Sequence, residues 1–248
     1  MVSVTRILNI DILPVRRNNF LDSFHGGVLF NPNVDHLVRL QTDRELYDAY
    51  QQADYIICDS RILFFFSKLL KNPVPETISG STFFREYCNY HRNDENVKVF
   101  ILGGKEGVAE RARERINAAL DSHIVVGAHA PSFHIDDEES RQIAERINRS
   151  GANVVMVALG VPKQEIWIAK YRHLMPPVTT WMALGATVDF EAGTLKRAPE
   201  IWRVLGMEWF FRFLQEPRRL FRRYFIDDMK FFWYFGKQLL GIYKNPFA

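Results

Sequence analysis

Short apolar runs alternate along the chain with longer segments of helical period. Residues 28–30, 55–58, 97–102, 154–159 and 179–184 are continuously or nearly continuously apolar, and several are rich in β-branched side chains. Runs of this kind read as strands buried on both faces. Between them the spacing of apolar positions predicts helices over residues 34–52, 107–120, 138–149 and 163–172. Strand followed by helix, repeated, predicts an α/β chain: a Rossmann-like, mostly parallel sheet with helices on both faces. After Ala198-Pro199 the strand pattern stops, and the remainder reads as a helical C-terminal appendage with wide aromatic faces. The expected division is residues 1–196 as the catalytic domain and 197–248 as the appendage.

In an open parallel sheet, ligands bind beyond the carboxyl ends of the strands. Each predicted strand here ends in polar or glycine residues: Asn31-Pro32-Asn33, Asp59-Ser60, Gly103-Gly104, Gly160-Val161-Pro162-Lys163-Gln164 and Gly185-Ala186. Glycines at a strand-to-helix turn let backbone N–H groups approach a phosphate, so Gly103, Gly104, Gly160 and Lys163 are candidate nucleotide-binding residues. Pro162 is placed to open a helix. Asp59 has two readings: N-cap of the following helix, or a general base at the rim, partly desolvated so that its pKa moves toward working pH. Asn31 and Asn33 beside it would make a pocket suited to sugar hydroxyls. His36 and His129 lack the neighbours of a zinc site, and no H-E-x-x-H or paired C-x-x-C occurs, so no metal site is expected.

Charge is divided unevenly. Residues 197–248 carry a net +5 and 15 of the 34 aromatic residues, whereas residues 1–196 carry −2. A basic, aromatic-rich end suits a surface that is both anionic and greasy, such as a membrane. The aromatics are not spread over a basic sheet, which argues against nucleic acid as the partner. Two cysteines, Cys58 and Cys88, give no disulfide framework and fit a reducing compartment. The N-terminus lacks the features of a signal peptide, and no run of about 18 apolar residues occurs. The expected location is therefore cytoplasmic, peripheral on the inner face of the plasma membrane.

Three blocks carry a family resemblance: Leu102-Gly103-Gly104-Lys105, the run from Val157 to Glu165 and the run from Asp189 to Pro199. With Gly206-Met207-Glu208-Trp209-Phe210-Phe211-Arg212 and Gln215-Glu216-Pro217-Arg218-Arg219, they resemble the TagA/WecG/CpsF glycosyltransferases over roughly residues 28–235. The resemblance implies inverting, metal-independent transfer from a UDP-sugar to a polyprenyl-diphosphate-linked sugar, with no cofactor. It places Asp59 as the base, Asn33 in the sugar pocket, Gln164 as a polar contact and Asp189 against the nucleotide. It sets Phe133 near the uracil, and Arg212, Arg219 and Arg222 over the diphosphate.

Ser79, Gly80 and Ser81 fall on the family's Thr-Gly-Ser-Asp segment, here Ser79-Gly80-Ser81-Thr82, and count as substrate-binding. Asn31 replaces a frequent Thr, Asp59-Ser60-Arg61 replaces Asp-Gly-x-Gly, and Thr77 stands where Arg is common. The resemblance implies a donor sugar often of the N-acetylmannosamine type, but these departures lie in the donor-sugar and acceptor half and point to glucose or another hexose, so the expected sugar is a hexose or an N-acetylhexosamine type. Self-association is left open. The competing reading is a non-catalytic nucleotide- or lipid-binding protein; a dinucleotide oxidoreductase lacks its G-x-G-x-x-G fingerprint here.

Overall fold

The computed structural model describes residues 4–196, 198, 199, 202 and 207–248, without the side chains of Glu208, Trp209, Arg212 and Arg219. A small antiparallel hairpin, β1 (Thr5–Ile7) and β2 (Ile10–Ile12), precedes the main sheet. That sheet has six parallel strands: β3 (Gly27–Phe30), β4 (Tyr55–Ile56), β5 (Val99–Gly103), β6 (Val125–His129), β7 (Val154–Ala158) and β8 (Thr180–Ala183). Their spatial order is β4-β3-β8-β7-β5-β6. The chain leaves β3 toward one edge and β5 toward the other, so the crevice between these diverging connections opens above β8 and β7.

Alternate residues of each central strand enter different cores. Val28, Phe30, Phe100, Leu102, Val155, Val157 and Trp181 face one core, and Leu29, Ile101, Met156 and Met182 face the other. The first face is covered by α2 (Val34–Arg39), α3 (Arg44–Tyr50), α4 (Arg61–Ser67), α7 (Asp137–Ser150) and α8 (Lys163–Tyr171). The second is covered by α1 (Arg17–Ser23), α5 (Gly80–Tyr90), α6 (Val108–Leu120) and α9 (Thr187–Ala192). This is the expected Rossmann-like arrangement, with helices on both faces of the sheet.

One sequence expectation needs correction, and two elements lie outside the sequence reading. The helix over residues 34–52 is two helices, because Asp43 starts a new one by accepting the Leu46 N–H at 3.0 Å. Strand β6 was not among the predicted strands. Its Val-Val-Gly-Ala-His composition offers few large apolar side chains, as suits an edge strand only partly covered. The hairpin was also not foreseen, since its three-residue strands are too short to show a period.

The C-terminal segment contains α10 (Glu208–Gln215), α11 (Pro217–Arg222), one π turn (Arg223–Asp227) and α12 (Met229–Leu239). Pro217 occupies the first turn of α11, where its missing N–H has no helical partner to lose. The last helix is part of the core: Phe231 and Phe235 are fully buried and meet Phe66 of α4 at ring distances of 5.7 and 5.2 Å. Gln238 accepts the Leu8 N–H and donates to the Arg6 carbonyl, both at 2.8 Å, so α12 clasps the hairpin. Tyr243 and Asn245 continue the attachment to Gln41 and Tyr47. Chain beyond residue 196 therefore completes the first core as well as extending past it.

Candidate functional site

The carboxyl ends of the six strands bring the predicted residues that follow them onto one rim, from Asp59 beyond β4 to Phe133 beyond β6. Five inter-strand spacings separate these edges, about 24 Å in a flat sheet. Glycine is required at the end of β5. Gly103 has φ +124°, and a Cβ there would lie 2.4 Å from the Ala158 carbonyl oxygen of β7. Gly104 donates to that same carbonyl at 3.2 Å, which folds the β5 turn onto its neighbour.

At the β4 end the two readings of Asp59 separate. Ser60 is the N-cap of α4 and accepts the Leu63 N–H at 3.3 Å, so the helix does not take Asp59 as its cap. Asp59 is half-exposed. The neighbouring Cys58 thiol is buried and pushed up to about 12, chiefly by loss of hydration and further by the Asp59 charge, and is no nucleophile.

The substrate-binding candidates between β4 and β3 lie together. Ile78 N–H donates to the Cys58 carbonyl at 2.7 Å, and Asn31 Nδ2 donates to the Ile78 carbonyl at 3.4 Å. Asn31 is buried, and its Oδ1 has no protein partner among the described residues. A Cβ on Gly80 would stand 2.8 Å from Asn31 Nδ2, so any larger residue at the start of α5 would have to displace the Asn31 amide. Ser79 and Ser81 place their hydroxyls 3.2 Å apart at that helix start, and Ser79 makes no side-chain cap.

Asn33 caps α2, its Oδ1 accepting the Asp35 N–H at 3.0 Å. Gln164 is almost wholly buried: its Oε1 accepts the N–H groups of Gly160 at 3.3 Å and Gly185 at 3.1 Å, and its Nε2 donates to Glu165 at 2.7 Å. The side chain expected to touch substrate thus ties the β7 and β8 turns together. On the β6 side Phe133 is 79% exposed, with Lys163 Nζ 3.7 Å above its ring and bonded to its carbonyl at 2.8 Å. This leaves one ring face beside a cation. Asp189 lies half-buried in α9, its carbonyl accepting from Thr194 and Leu195.

The side chains of Arg212 and Arg219 lie outside the described residues. Arg222 is 82% exposed, 3.8 Å from Asp227, whereas its neighbour turns inward: Arg223 Nη2 donates to Asn33 Oδ1 at 3.1 Å. Arg223 also lies 3.4 Å from buried Asp35 and 4.0 Å from Asp228. Sequence reasoning selected the first arginine of the pair. The signal for the second is the buried acidic residue Asp35, visible only once the chain is folded. Among the described residues no group of three His, Cys, Asp or Glu side chains is arranged to hold a metal ion.

A doubly wound parallel sheet whose glycine turns, exposed aromatic and half-buried carboxylate share one rim defines an α/β protein of the class that binds ligands beyond the carboxyl ends of its strands. The chain belongs to the WecG/TagA/CpsF family of glycosyl transferases, whose sequence model matches residues 5–245. The family implies glycosyl transfer in cell-surface polysaccharide synthesis, with a sugar-nucleotide donor and a lipid-linked acceptor.

Proposed function

We propose that this glycosyltransferase moves a hexose or N-acetylhexosamine-type sugar from a UDP-sugar to a polyprenyl-diphosphate-linked sugar, inverting the anomeric centre and using no metal or cofactor. The observation that carries the reading is Asp59 at the β4 end of the rim, half-exposed, with the adjacent helix capped by Ser60 instead. Its carboxylate takes the proton of the acceptor hydroxyl as that oxygen bonds to the anomeric carbon. The bond from that carbon to the diphosphate breaks on the opposite face, and UDP leaves with the electron pair. The uracil stacks on Phe133, next to Lys163. Arg212, Arg219 and Arg222 of the appendage meet the diphosphate charge together with the backbone of the glycine turns. Asn31, Asn33, Ser79, Gly80 and Ser81 line the sugar end.

Removal of a general base costs about 10²–10⁴ in rate. Asp59→Asn is expected to retain UDP affinity by calorimetry and to lose turnover in that range, with excess EDTA leaving the native rate unchanged. Near-native turnover of the variant would overturn the assignment of the base, and strict dependence on added Mg²⁺ or Mn²⁺ would overturn the route of charge neutralisation.

A further inference from the structure

A continuous polar chain runs from the appendage through the first core to the turns beyond β7 and β8. Arg223 in the π turn donates to Asn33 Oδ1, at the start of α2. The Asn33 backbone N–H points at His36 Nδ1, 3.3 Å away, and His36 Nε2 lies 3.3 Å from Glu165 Oε1. His36 Nδ1 also lies 3.1 Å from Asn33 Oδ1, the atom that Arg223 holds, so the imidazole bridges Asn33 and the Glu165 carboxylate. Glu165 Oε1 accepts from Gln164 Nε2, and Gln164 Oε1 closes the chain on the N–H groups of Gly160 and Gly185.

The inner members are buried: His36, Gln164 and Glu165 are 5%, 3% and 0% exposed. Buried polar groups hold their partners tightly because no water replaces a lost one. Displacing one end of such a chain changes the best positions of the next member. Arg223 is also fixed sideways by Asp35 and Asp228, so it reports whether the segment carrying it is seated.

We propose that Arg223 is a positioning residue: its seating on Asn33 and Asp35 is relayed through His36, Glu165 and Gln164 to set the Gly160 and Gly185 turns in their ligand-binding shape. This deepens the glycosyltransferase reading, since those turns lie on the rim assigned to the nucleotide. Appendage docking and nucleotide affinity are then linked, and by thermodynamic reciprocity nucleotide tightens the appendage.

The test is hydrogen exchange on the full chain, resolved at Gly160 and Gly185, together with UDP calorimetry. Coupling of the usual size changes an equilibrium by about 5- to 150-fold. Arg223→Ala is expected to speed exchange at both turns at least about fivefold and to weaken UDP binding, while exchange in α6 stays near native. Glu165→Gln is expected to speed the same two sites, and adding Arg223→Ala to it to do little more. The exposed-surface variant Arg44→Ala should change neither turn.

Native exchange at both turns in Arg223→Ala would overturn the proposal, as would a rise spread evenly over the sheet, which marks general destabilisation. If Arg223→Ala does not fold, Arg223→Lys, which keeps the charge and loses the planar fork, decides on the same two sites. Failure of native chain to bind UDP would overturn the proposed donor alone, and the exchange arm would still judge the relay.

Discussion

At the scale of single residues, chemistry here depends on which of two neighbours faces inward. Ser60 caps α4 while Asp59, one residue before it, stands half-exposed at the rim, and Arg222 faces solvent while Arg223 turns toward Asn33 and Asp35. The same contest sets the ionisation of Asp228. Burial raises its carboxyl from 3.8 to about 6, helped by the charges of Asp35 and Asp227 and opposed by Arg223 and Arg39. Between about pH 4 and 6 the native chain holds a proton that the unfolded chain would release. The stability this contributes is full below the lower value and is lost as pH rises through the higher. Asp228→Asn imitates the protonated form and is expected to stabilise the protein at pH 7.5 by up to about 3 kcal/mol. Chemical denaturation should show that gap narrowing at pH 4.5. A gap that widened on acidification would contradict the assigned cause.

Elements carried most of the legible information. Strands β5, β7 and β8 could be read from sequence because strands buried on both faces must be apolar without interruption. Edge strand β6 and the three-residue hairpin strands have no such requirement, and they escaped. The rim glycines were legible as turn residues, but their use was not, because the Ala158 carbonyl that excludes a Cβ from Gly103 comes from another strand. Gln164 was legible as important and not as a tie between two loops, for the same reason. The appendage's apolar faces could not be sorted into core and surface by composition, since Phe231, Phe232 and Trp233 are adjacent and only the first is buried. Packing makes a distinction that can be measured. Truncating a buried Phe costs about 3–5 kcal/mol. Phe231→Ala or Phe235→Ala should lower the stability of the whole chain by that amount, although both lie more than thirty residues past the expected domain boundary. A loss confined to local unfolding of α12, with the global transition unmoved, would show that this helix is not part of the core.

On the scale of the whole molecule, the same terminal segment that closes the core presents an apolar stripe to solvent. Phe221, Phe225, Met229 and Trp233 recur every four residues and are all exposed, with Ile226 and Leu240 exposed beside them. A four-residue step keeps side chains on one slowly turning face of a helix. Among the described residues no helix is long and apolar enough to cross a membrane, so a stripe of this kind can enter a bilayer only at its surface. Arg218, Arg222 and Lys230 are exposed along the same segment, and Lys237 lies 4.9 Å over the Trp233 ring. Basic residues near an anionic surface contribute roughly 1 kcal/mol each, and the aromatic rings settle at headgroup depth. The expected behaviour is reversible binding to vesicles containing anionic lipid, weakened by high salt and nearly absent on neutral vesicles. The double variant Phe225→Asp, Trp233→Asp should partition at least about tenfold less, because two charges replace two buried rings at the interface. It should keep its melting temperature, since Phe231 and Phe235, which hold α12 to the core, are untouched. Co-sedimentation of this variant at the native level would show that the stripe does not meet lipid. A variant that left the membrane, bound UDP normally and worked only on a water-soluble acceptor would establish that the segment delivers the enzyme to its lipid-linked substrate.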